Sequence, residues 1–234
     1  ARALPGLCQD VFDHVCQGDV ESIDTLIDDL LGPGFRAEIP APRFDMAGGV
    51  TSLGYVETTK YCNFSCAFCS LTGENRPYQP YPSDEIEQQL DAAGRRLFVC
   101  VLDNNFYGNN RQDFERRVDL LGAWWRRGAL RGWGALVTGD FFARPENLAL
   151  VAANGCKVLF SGVESFDPAV LKSYNKRHSL SSDPYTLSRL CADHGIHFEY
   201  GMMLDFTQQT IAEVDGQIDG LLGNTDTPLP GLLS

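Results

Sequence analysis

Short apolar runs alternate along the chain with stretches in which apolar residues recur every three or four positions. The apolar runs predict five strands, at residues 54–59, 97–102, 134–138, 157–163 and 197–204. The recurring positions predict amphipathic helices between them, and a run rich in proline and leucine near the end leads toward a sixth strand. This alternation predicts an α/β fold with a parallel sheet, either doubly wound or curled into a barrel.

Several helix boundaries follow from the residues that flank these patterns. Ser83 is predicted to cap a helix whose first turn holds two acidic residues. Pro145 and Pro184 each suit the first turn of a helix, because the amide hydrogen that proline lacks would be unpaired there anyway. An apolar stripe through residues 20–30 predicts an earlier helix, and residues 34–49, rich in proline, glycine and alanine, are interpreted as a linker.

Charge and hydrophobicity narrow the classes of partner. Among 234 residues, 31 Asp and Glu oppose 19 Lys and Arg, so the formal net charge is −12 and we expect no nucleic-acid partner. No apolar run approaches the roughly 18 residues needed to span a bilayer, so we expect no membrane partner either. The arginines grouped near one helix are interpreted as its solvated face, and they are Arg116, Arg117, Arg126, Arg127 and Arg131.

The two ends of the sequence and its cysteine content bear on context. The chain begins at Ala1 without an initiator methionine and ends at Ser234 directly after an apolar run. We therefore expect it to be a piece of a longer polypeptide. Eight cysteines without an export signal indicate a reducing, cytoplasmic compartment, in which cysteines serve as ligands or small buried residues.

Three of the cysteines, Cys62, Cys66 and Cys69, fall within eight residues directly after the first predicted strand. Three thiolates on one loop suit three corners of a cubane iron–sulfur cluster and leave one iron open for chemistry. A structural zinc site takes four ligands, usually in two separated pairs, and no second pair is found here. The alternatives are a chance grouping of three cysteines in one loop and a zinc site completed by a remote cysteine or histidine.

The spacing of these cysteines, with Phe68 just before the last, strongly resembles the radical S-adenosylmethionine (SAM) enzymes. In that family the cysteines hold a 4Fe-4S cluster whose open iron binds SAM, which is then cleaved reductively to a 5′-deoxyadenosyl radical. The resemblance implies that the α/β fold is a partial, six-stranded parallel barrel similar to a TIM barrel. It also implies a small-molecule or peptide substrate and an electron donor such as flavodoxin or ferredoxin.

Further motifs narrow the resemblance to radical SAM proteins that carry a cobalamin-binding domain. A DNNF turn begins at Asp103 after the second strand, and a GVES turn begins at Gly162 after the fourth. Both are similar to turns of that group, as are two upstream segments, GDVE at residues 18–21 and PRFD at residues 42–45.

The same resemblance implies a domain division. Residues 1–49 are expected to be the remnant of an N-terminal cobalamin-binding domain and linker. Residues 50–234 are expected to form the radical SAM core, truncated at its carboxyl end. Cobalamin would then be bound mainly by a domain absent from this chain.

The activity that the resemblance implies is cobalamin-dependent methyl transfer to an unreactive carbon, with rearrangement or ring formation as related outcomes. The alternatives are a cobalamin-independent radical SAM enzyme and a non-enzymatic zinc or iron–sulfur scaffold. The expected metal ligands are Cys62, Cys66 and Cys69. The residues expected to bind the cofactor SAM are Phe68, Asp103, Asn105, Glu164 and Ser165. Glu164, at the end of an apolar strand, is expected to share a cavity with Cys69.

Overall fold

A computed structural model describes residues 5–19, 22–35, 52–180, 183–207, 209–223 and 228–233. In these residues the strands are short and most are followed by helices. In chain order the strands are β1 (Leu53–Val56), β2 (Thr59–Lys60), β3 (Gln79–Pro80), β4 (Phe98–Val101), β5 (Trp133–Leu136), β6 (Cys156–Glu164), β7 (His197–Met202) and β8 (Leu232–Leu233).

The α-helices of the described residues lie before, between and after these strands. They are α1 (Ile23–Leu31), α2 (Ser70–Glu74), α3 (Ser83–Ala93), α4 (Arg111–Arg126), α5 (Gly139–Phe142), α6 (Glu146–Ala153), α7 (Pro168–Ser173), α8 (Pro184–Ala192) and α9 (Ile211–Gly223). Among the described residues, 3₁₀ turns are found at Pro5–Leu7 and Arg177–Ser179. In this part of the chain no helix is both long and apolar enough to cross a bilayer.

Six strands form one sheet in the order β1-β4-β5-β6-β7-β8, and each neighbouring pair is parallel. The spatial order follows the chain order, so each crossover advances to the next strand in the same direction. A doubly wound sheet would reverse direction at a switch point, whereas a barrel does not. The prediction of a partial, six-stranded parallel barrel is therefore confirmed. β2 and β3 form a separate antiparallel pair.

The hydrophobic core lies between the sheet and its helices. Side chains at alternate positions of β4, β6 and β7 are buried there, as expected for strands with one covered face. Fully burying one such side chain contributes about 1.5–3 kcal/mol relative to leaving it in water. Prominent members of this core are Ile86, Leu90, Val99, Val101, Phe114, Val118, Leu121, Trp133, Leu159, Val163, Phe198 and Tyr200.

Two predicted helix starts differ from the structure. Ser83 is the first helical residue of α3, and Pro82 holds the cap position, because its carbonyl accepts the bond from the amide of Ile86 at 3.2 Å. Pro145 likewise takes the cap position of α6. The start of α8 is confirmed: Pro184 opens the helix, and the Asp183 carboxylate accepts a 2.9 Å bond from a backbone amide in the first turn.

The strand predicted at residues 54–59 is divided in two. β1 ends at Val56 and β2 begins at Thr59, because the side chain of Asp103 accepts bonds from the backbone amides of Thr58 and Thr59. These amides therefore turn away from the parallel sheet.

The predicted solvated face of basic residues is wrong at Arg117. This side chain is 1% exposed, and its Nη2 donates a 2.6 Å bond to the carbonyl of Phe106. α1 forms as predicted, yet none of its residues is buried. Most of the predicted linker, with the domain boundary at residue 49, lies outside the described residues, as does Val20 of the α1 stripe.

Candidate functional site

The three clustered cysteines lie on a loop between β2 and α2, which we call the cysteine loop (residues 61–69). Tyr61 begins it with a left-handed backbone, φ 63°, and Cys69 ends it in the cap position of α2. The loop is closed internally by the amide of Cys69, which donates to the carbonyl of Cys66 at 3.1 Å. The hydroxyl of Thr72 donates to the same carbonyl at 2.8 Å. This carbonyl therefore links the two halves of the loop to the start of α2.

All three thiols line one cavity at the carboxyl ends of the parallel strands, which we call the mouth cavity. Residues from the ends of β5 and β6 also line it, so the cysteine loop lies beside the middle strands of the sheet. Its lining consists of Cys62, Phe64, Cys66, Phe68, Cys69, Leu71, Asn104, Leu136, Thr138, Phe160, Gly162, Glu164, Lys176 and His178. Of the predicted site residues, the three cysteines, Phe68 and Glu164 are thus brought together, and Asp103, Asn105 and Ser165 are not among the lining residues.

The electrostatics of the cavity act on the thiols in opposite directions. Burial raises the pKa of the Cys62 and Cys66 thiols, because the thiolate loses hydration. The ammonium of Lys176 lowers both pKa values, and the neighbouring thiols of the loop raise them again. The ammonium of Lys176 therefore favours the thiolate forms, whereas thiolates this close together would repel one another.

Glu164 and Lys176 form an ion pair at the edge of the mouth cavity. The Nζ of Lys176 donates to Oε1 of Glu164 at 2.7 Å, and the two side chains are only 8% and 13% exposed, in that order. Glu164 has φ 66° and follows a bulge in the pairing of β6 with β7. Left-handed backbone at a residue other than glycine costs roughly 1–3 kcal/mol and concentrates at functional sites. The predicted cavity shared by Glu164 and Cys69 is confirmed.

Aromatic rings surround the thiols. Phe68 contacts the ring of Tyr174 edge-on, with centroids 5.2 Å apart, and the ammonium of Lys176 lies 5.6 Å from the Phe68 centroid. Phe64 stacks on His178 at 3.8 Å. Burial, with Lys176 nearby, lowers the pKa of His178 to about 4, so this imidazole is neutral at neutral pH.

Asp103 is 1% exposed, and its carboxylate supports the backbone ahead of the cysteine loop. It accepts bonds from the amides of Thr58 and Thr59 at 2.6 and 3.0 Å and from the Thr58 hydroxyl. Burial raises its pKa to about 6 in spite of these bonds, which favour the charged form. In the structure this carboxylate is therefore engaged by the protein.

Asn105 and Ser165 are also engaged within the protein. The amide of Asn105 donates to Oδ1 of Asn63 at 2.7 Å, so it holds the cysteine loop. The hydroxyl of Ser165 accepts a 3.1 Å bond from the amide of Asp167 and stabilises the turn after β6. In the DNNF turn, it is Asn104 that lines the mouth cavity.

The segment at residues 174–178 was missed from the sequence, although it holds the cysteine loop from the far side. The carbonyl of Tyr174 accepts a 2.8 Å bond from the amide of Ala67. The side chain of Asn175 donates to the carbonyl and the hydroxyl of Ser65, at 2.9 and 3.2 Å. These partners are about 110 residues apart in the chain, so no local sequence pattern predicts such a contact.

No group of three His, Cys, Asp or Glu side chains among the described residues is arranged for a single metal ion. A zinc ion needs ligands about 2.0–2.3 Å from one point. A cubane cluster instead takes one thiolate at each of several separate corners. Three thiols around one cavity, with the ammonium of Lys176 nearby, are a set of donors that fits such a cluster.

Comparison with known proteins gives one match to a protein family. The sequence model of the radical SAM superfamily matches residues 56–215, more than half of the chain. This range contains the cysteine loop, Glu164 and Lys176.

Two curated relatives are methylating enzymes by name. The chain is 27% identical over 177 residues to the hopanoid C-2 methylase of Rhodopseudomonas palustris, covering 73% of this chain and 33% of that protein. It is 20% identical over 236 residues to the bacteriochlorophyllide d C-8(2)-methyltransferase of Chlorobaculum tepidum, covering 87% of this chain and 51% of that protein. The chain thus spans between a third and about half of these relatives.

Solved structures share the fold. The cobalamin-dependent S-adenosylmethionine radical enzyme OxsB, with aqua-cobalamin and SAM bound, aligns with a TM-score of 0.62 at 21% identity. That alignment covers 84% of this chain and 30% of OxsB. The methyltransferase TsrM from Kitasatospora setae, with tryptophan and a SAM analogue bound, aligns with a TM-score of 0.65 at 18% identity, covering 84% of this chain and 38% of TsrM.

Proposed function

Because the chain belongs to the radical SAM superfamily, we propose that Cys62, Cys66 and Cys69 hold a 4Fe-4S cluster whose open iron faces the mouth cavity. Family membership implies both the cluster and SAM. When bound, the cluster supplies the electron that cleaves the sulfonium of SAM. The observation that carries the proposal is the meeting of three thiols with the Glu164–Lys176 ion pair in one cavity.

The chain's own residues would bind and orient SAM. SAM carries an ammonium, a carboxylate and ribose hydroxyls. Glu164 would accept hydrogen bonds from the amino group or the hydroxyls, and Lys176 complements a carboxylate. Phe68 would flank the adenine and keep water from the cluster.

We assign the other predicted residues positioning roles. Asp103 and Asn105 would hold the cysteine loop in the geometry that the cluster needs, through the backbone before it and through Asn63. Ser165 would stabilise the turn that presents Glu164. A displacement of reacting groups by 1 Å can cost a hundred-fold in rate, so such supports bear on catalysis without contacting SAM.

For the whole protein we propose cobalamin-dependent methylation of an unreactive carbon in a small-molecule or peptide substrate. Both curated relatives described above are methylating enzymes by name, and OxsB is cobalamin-dependent by its description. Residues 1–49 would then be the remnant of the cobalamin-binding domain and its linker. A flavodoxin or ferredoxin in the cytoplasm would supply electrons.

Metal analysis tests the cluster proposal. Anaerobic reconstitution of the chain should give a brown, oxygen-sensitive protein with about four irons and four sulfides. With a strong reductant and SAM it should release 5′-deoxyadenosine. A colourless protein that retains zinc and forms no 5′-deoxyadenosine would instead favour the scaffold alternative.

A further inference from the structure

The segment ahead of the barrel contacts the cysteine loop through Asp19. The hydroxyl of Tyr61 donates to the Asp19 carboxylate, and Nη1 of Arg76 lies 3.3 Å from the same oxygen. Nη1 of Arg76 also donates to the hydroxyl of Tyr61 at 2.8 Å, and its guanidinium lies over the Tyr61 ring at 5.5 Å. We call these three residues the clasp.

The clasp joins the start of the cysteine loop to the residue that follows α2 and its cap. Tyr61 directly precedes Cys62, and Arg76 follows the end of α2, the helix that Cys69 caps. The bond between Tyr61 and Arg76 therefore closes residues 61–76 into a ring of chain that contains all three thiols. Tyr61 is only 7% exposed and has φ 63°, so its side chain and its backbone are both held in one arrangement.

The backbone next to Asp19 is shaped for this contact. Gly18 has φ 138°, and a Cβ atom there would collide with the hydroxyl of Ser22 and lie 3.9 Å from the guanidinium of Arg76. The amide of Ser22 donates to the carbonyl of Asp19 at 2.9 Å, so the turn is closed. α1, which follows, has no buried residue. The side chain of Asp19 thus links this segment to the barrel.

We propose that Asp19, Tyr61 and Arg76 are positioning residues that hold the cysteine loop closed, so that the upstream segment governs how firmly the loop retains its cluster. The inference rests on the proposed function, because it assumes that the loop holds a cluster. The physical basis is that loss of the bond between Tyr61 and Arg76 opens the ring of residues 61–76. Loss of the bond between Tyr61 and Asp19 detaches the residue next to Cys62 from the upstream segment.

Iron release measures retention directly. Anaerobically reconstituted protein is mixed with a ferrous chelator, and the release rate is followed by absorbance. Tyr61→Phe keeps the aromatic ring but removes both bonds, and Asp19→Ala removes the carboxylate that accepts from Tyr61 and faces Arg76. Each should release iron about ten-fold faster than the unchanged protein. The double variant should release it no faster than Tyr61→Phe, because both changes break the same clasp.

Tyr185→Phe on α8 is the matched control. There Nη1 of Arg189 donates to the hydroxyl of Tyr185 at 3.2 Å, and the guanidinium lies 5.7 Å from the ring, so one tyrosine–arginine contact is lost away from the loop. This variant should release iron at the original rate. Unchanged release from Tyr61→Phe or from Asp19→Ala would overturn the proposal, and so would strictly additive effects in the double variant.

Alkylation of the metal-free protein separates this proposal from the proposed function. Iodoacetamide labelling at Cys62, quantified by mass spectrometry, should be several-fold faster in both clasp variants, while labelling at Cys191 stays unchanged. If the chain forms no cluster but Cys62 labelling changes in this way, the proposed function fails and the clasp stands. If the cluster forms but labelling and iron release both match the original protein, the clasp fails alone.

Discussion

Glu164 combines three unusual features at one position of the mouth cavity. It adopts a left-handed backbone, ends the central strand of the site, and pairs with a nearly buried lysine. A carboxylate that served packing alone would not need such an arrangement. The bonds it can offer to a charged partner contribute roughly 1.5–3 kcal/mol each.

Glu164→Gln keeps the shape of this side chain and removes its charge. SAM affinity, measured by equilibrium dialysis, should fall about ten-fold, since 1.4 kcal/mol corresponds to one decade. Iron content should stay unchanged, because the glutamate is not proposed as a ligand. Glu199→Gln is the control. Glu199 pairs with His197 within β7, the strand next to β6, and it is not among the residues that line the cavity. Unaltered SAM affinity would remove Glu164 from the binding site, and lost iron would make its role structural.

Asp103 should make stability depend on pH. Its pKa is raised from 3.8 to about 6, so between these values the folded chain keeps a proton that the unfolded chain has released. The free energy of unfolding therefore falls as pH rises through this window, by on the order of 3 kcal/mol for two pKa units. Asp103→Asn removes this titration. The difference in unfolding free energy, variant minus original, should rise by that amount between pH 4 and pH 7 in urea titrations, and a constant difference would contradict the assignment.

The sequence could predict those site residues that a local pattern marks. Cysteine spacing predicted a shared site for three thiols, and the end of an apolar strand predicted the place of Glu164. Lys176 was missed, because it enters the cavity only through the packing of residues 174–178 against a loop about 110 positions earlier. Asp103 was expected to bind a cofactor, whereas the structure shows its carboxylate held by Thr58 and Thr59.

At the scale of elements, long periodic patterns were reliable and short ones were not. The strands of the barrel lie within a few residues of their predicted positions, and α4 and α9 lie between strands, as the pattern predicted. α2, α5 and α7 have four to six residues each, too few for a helical stripe to show. β2 and β3 pair over two residues and depend on a side chain from elsewhere, so nothing in their own sequence predicted them.

Gly162→Ala tests how tightly the strand β6 packs against the ion pair. A Cβ atom there would collide with Oε1 of Glu164 and lie 2.9 Å from Nζ of Lys176. We expect the pair to be displaced, with a loss of stability of roughly 1–3 kcal/mol and weaker SAM binding. Urea denaturation and equilibrium dialysis measure the two effects.

Gly216→Ala is the matched control for that substitution. Gly216 lies within α9, and a Cβ atom there would have no atom within 4 Å. Alanine should stabilise the helix by about 0.5–1 kcal/mol and leave SAM binding unchanged. If both alanine variants have the same stability and the same SAM affinity, the close packing at Gly162 does not determine the position of the ion pair.

At the scale of the whole molecule, the proposed cluster and SAM lie in the barrel, whereas the proposed cobalamin is expected to be bound mainly outside this chain. The chain covers a third of the hopanoid C-2 methylase and 30% of OxsB. A longer polypeptide that contains these residues should bind cobalamin, and residues 1–234 alone should bind little. Equilibrium dialysis of both proteins checks this. A longer protein without cobalamin affinity would favour a cobalamin-independent radical SAM enzyme.

The central claim is that Cys62, Cys66 and Cys69 hold one cluster with an iron open to SAM. Electron paramagnetic resonance of the reduced, reconstituted chain, recorded with and without SAM, tests it most directly. We expect a 4Fe-4S signal that changes when SAM is added. The signal should be lost in Cys62→Ala, Cys66→Ala and Cys69→Ala but kept in Cys191→Ala. A spectrum that SAM leaves unchanged, or a full signal in any of the first three variants, would contradict it.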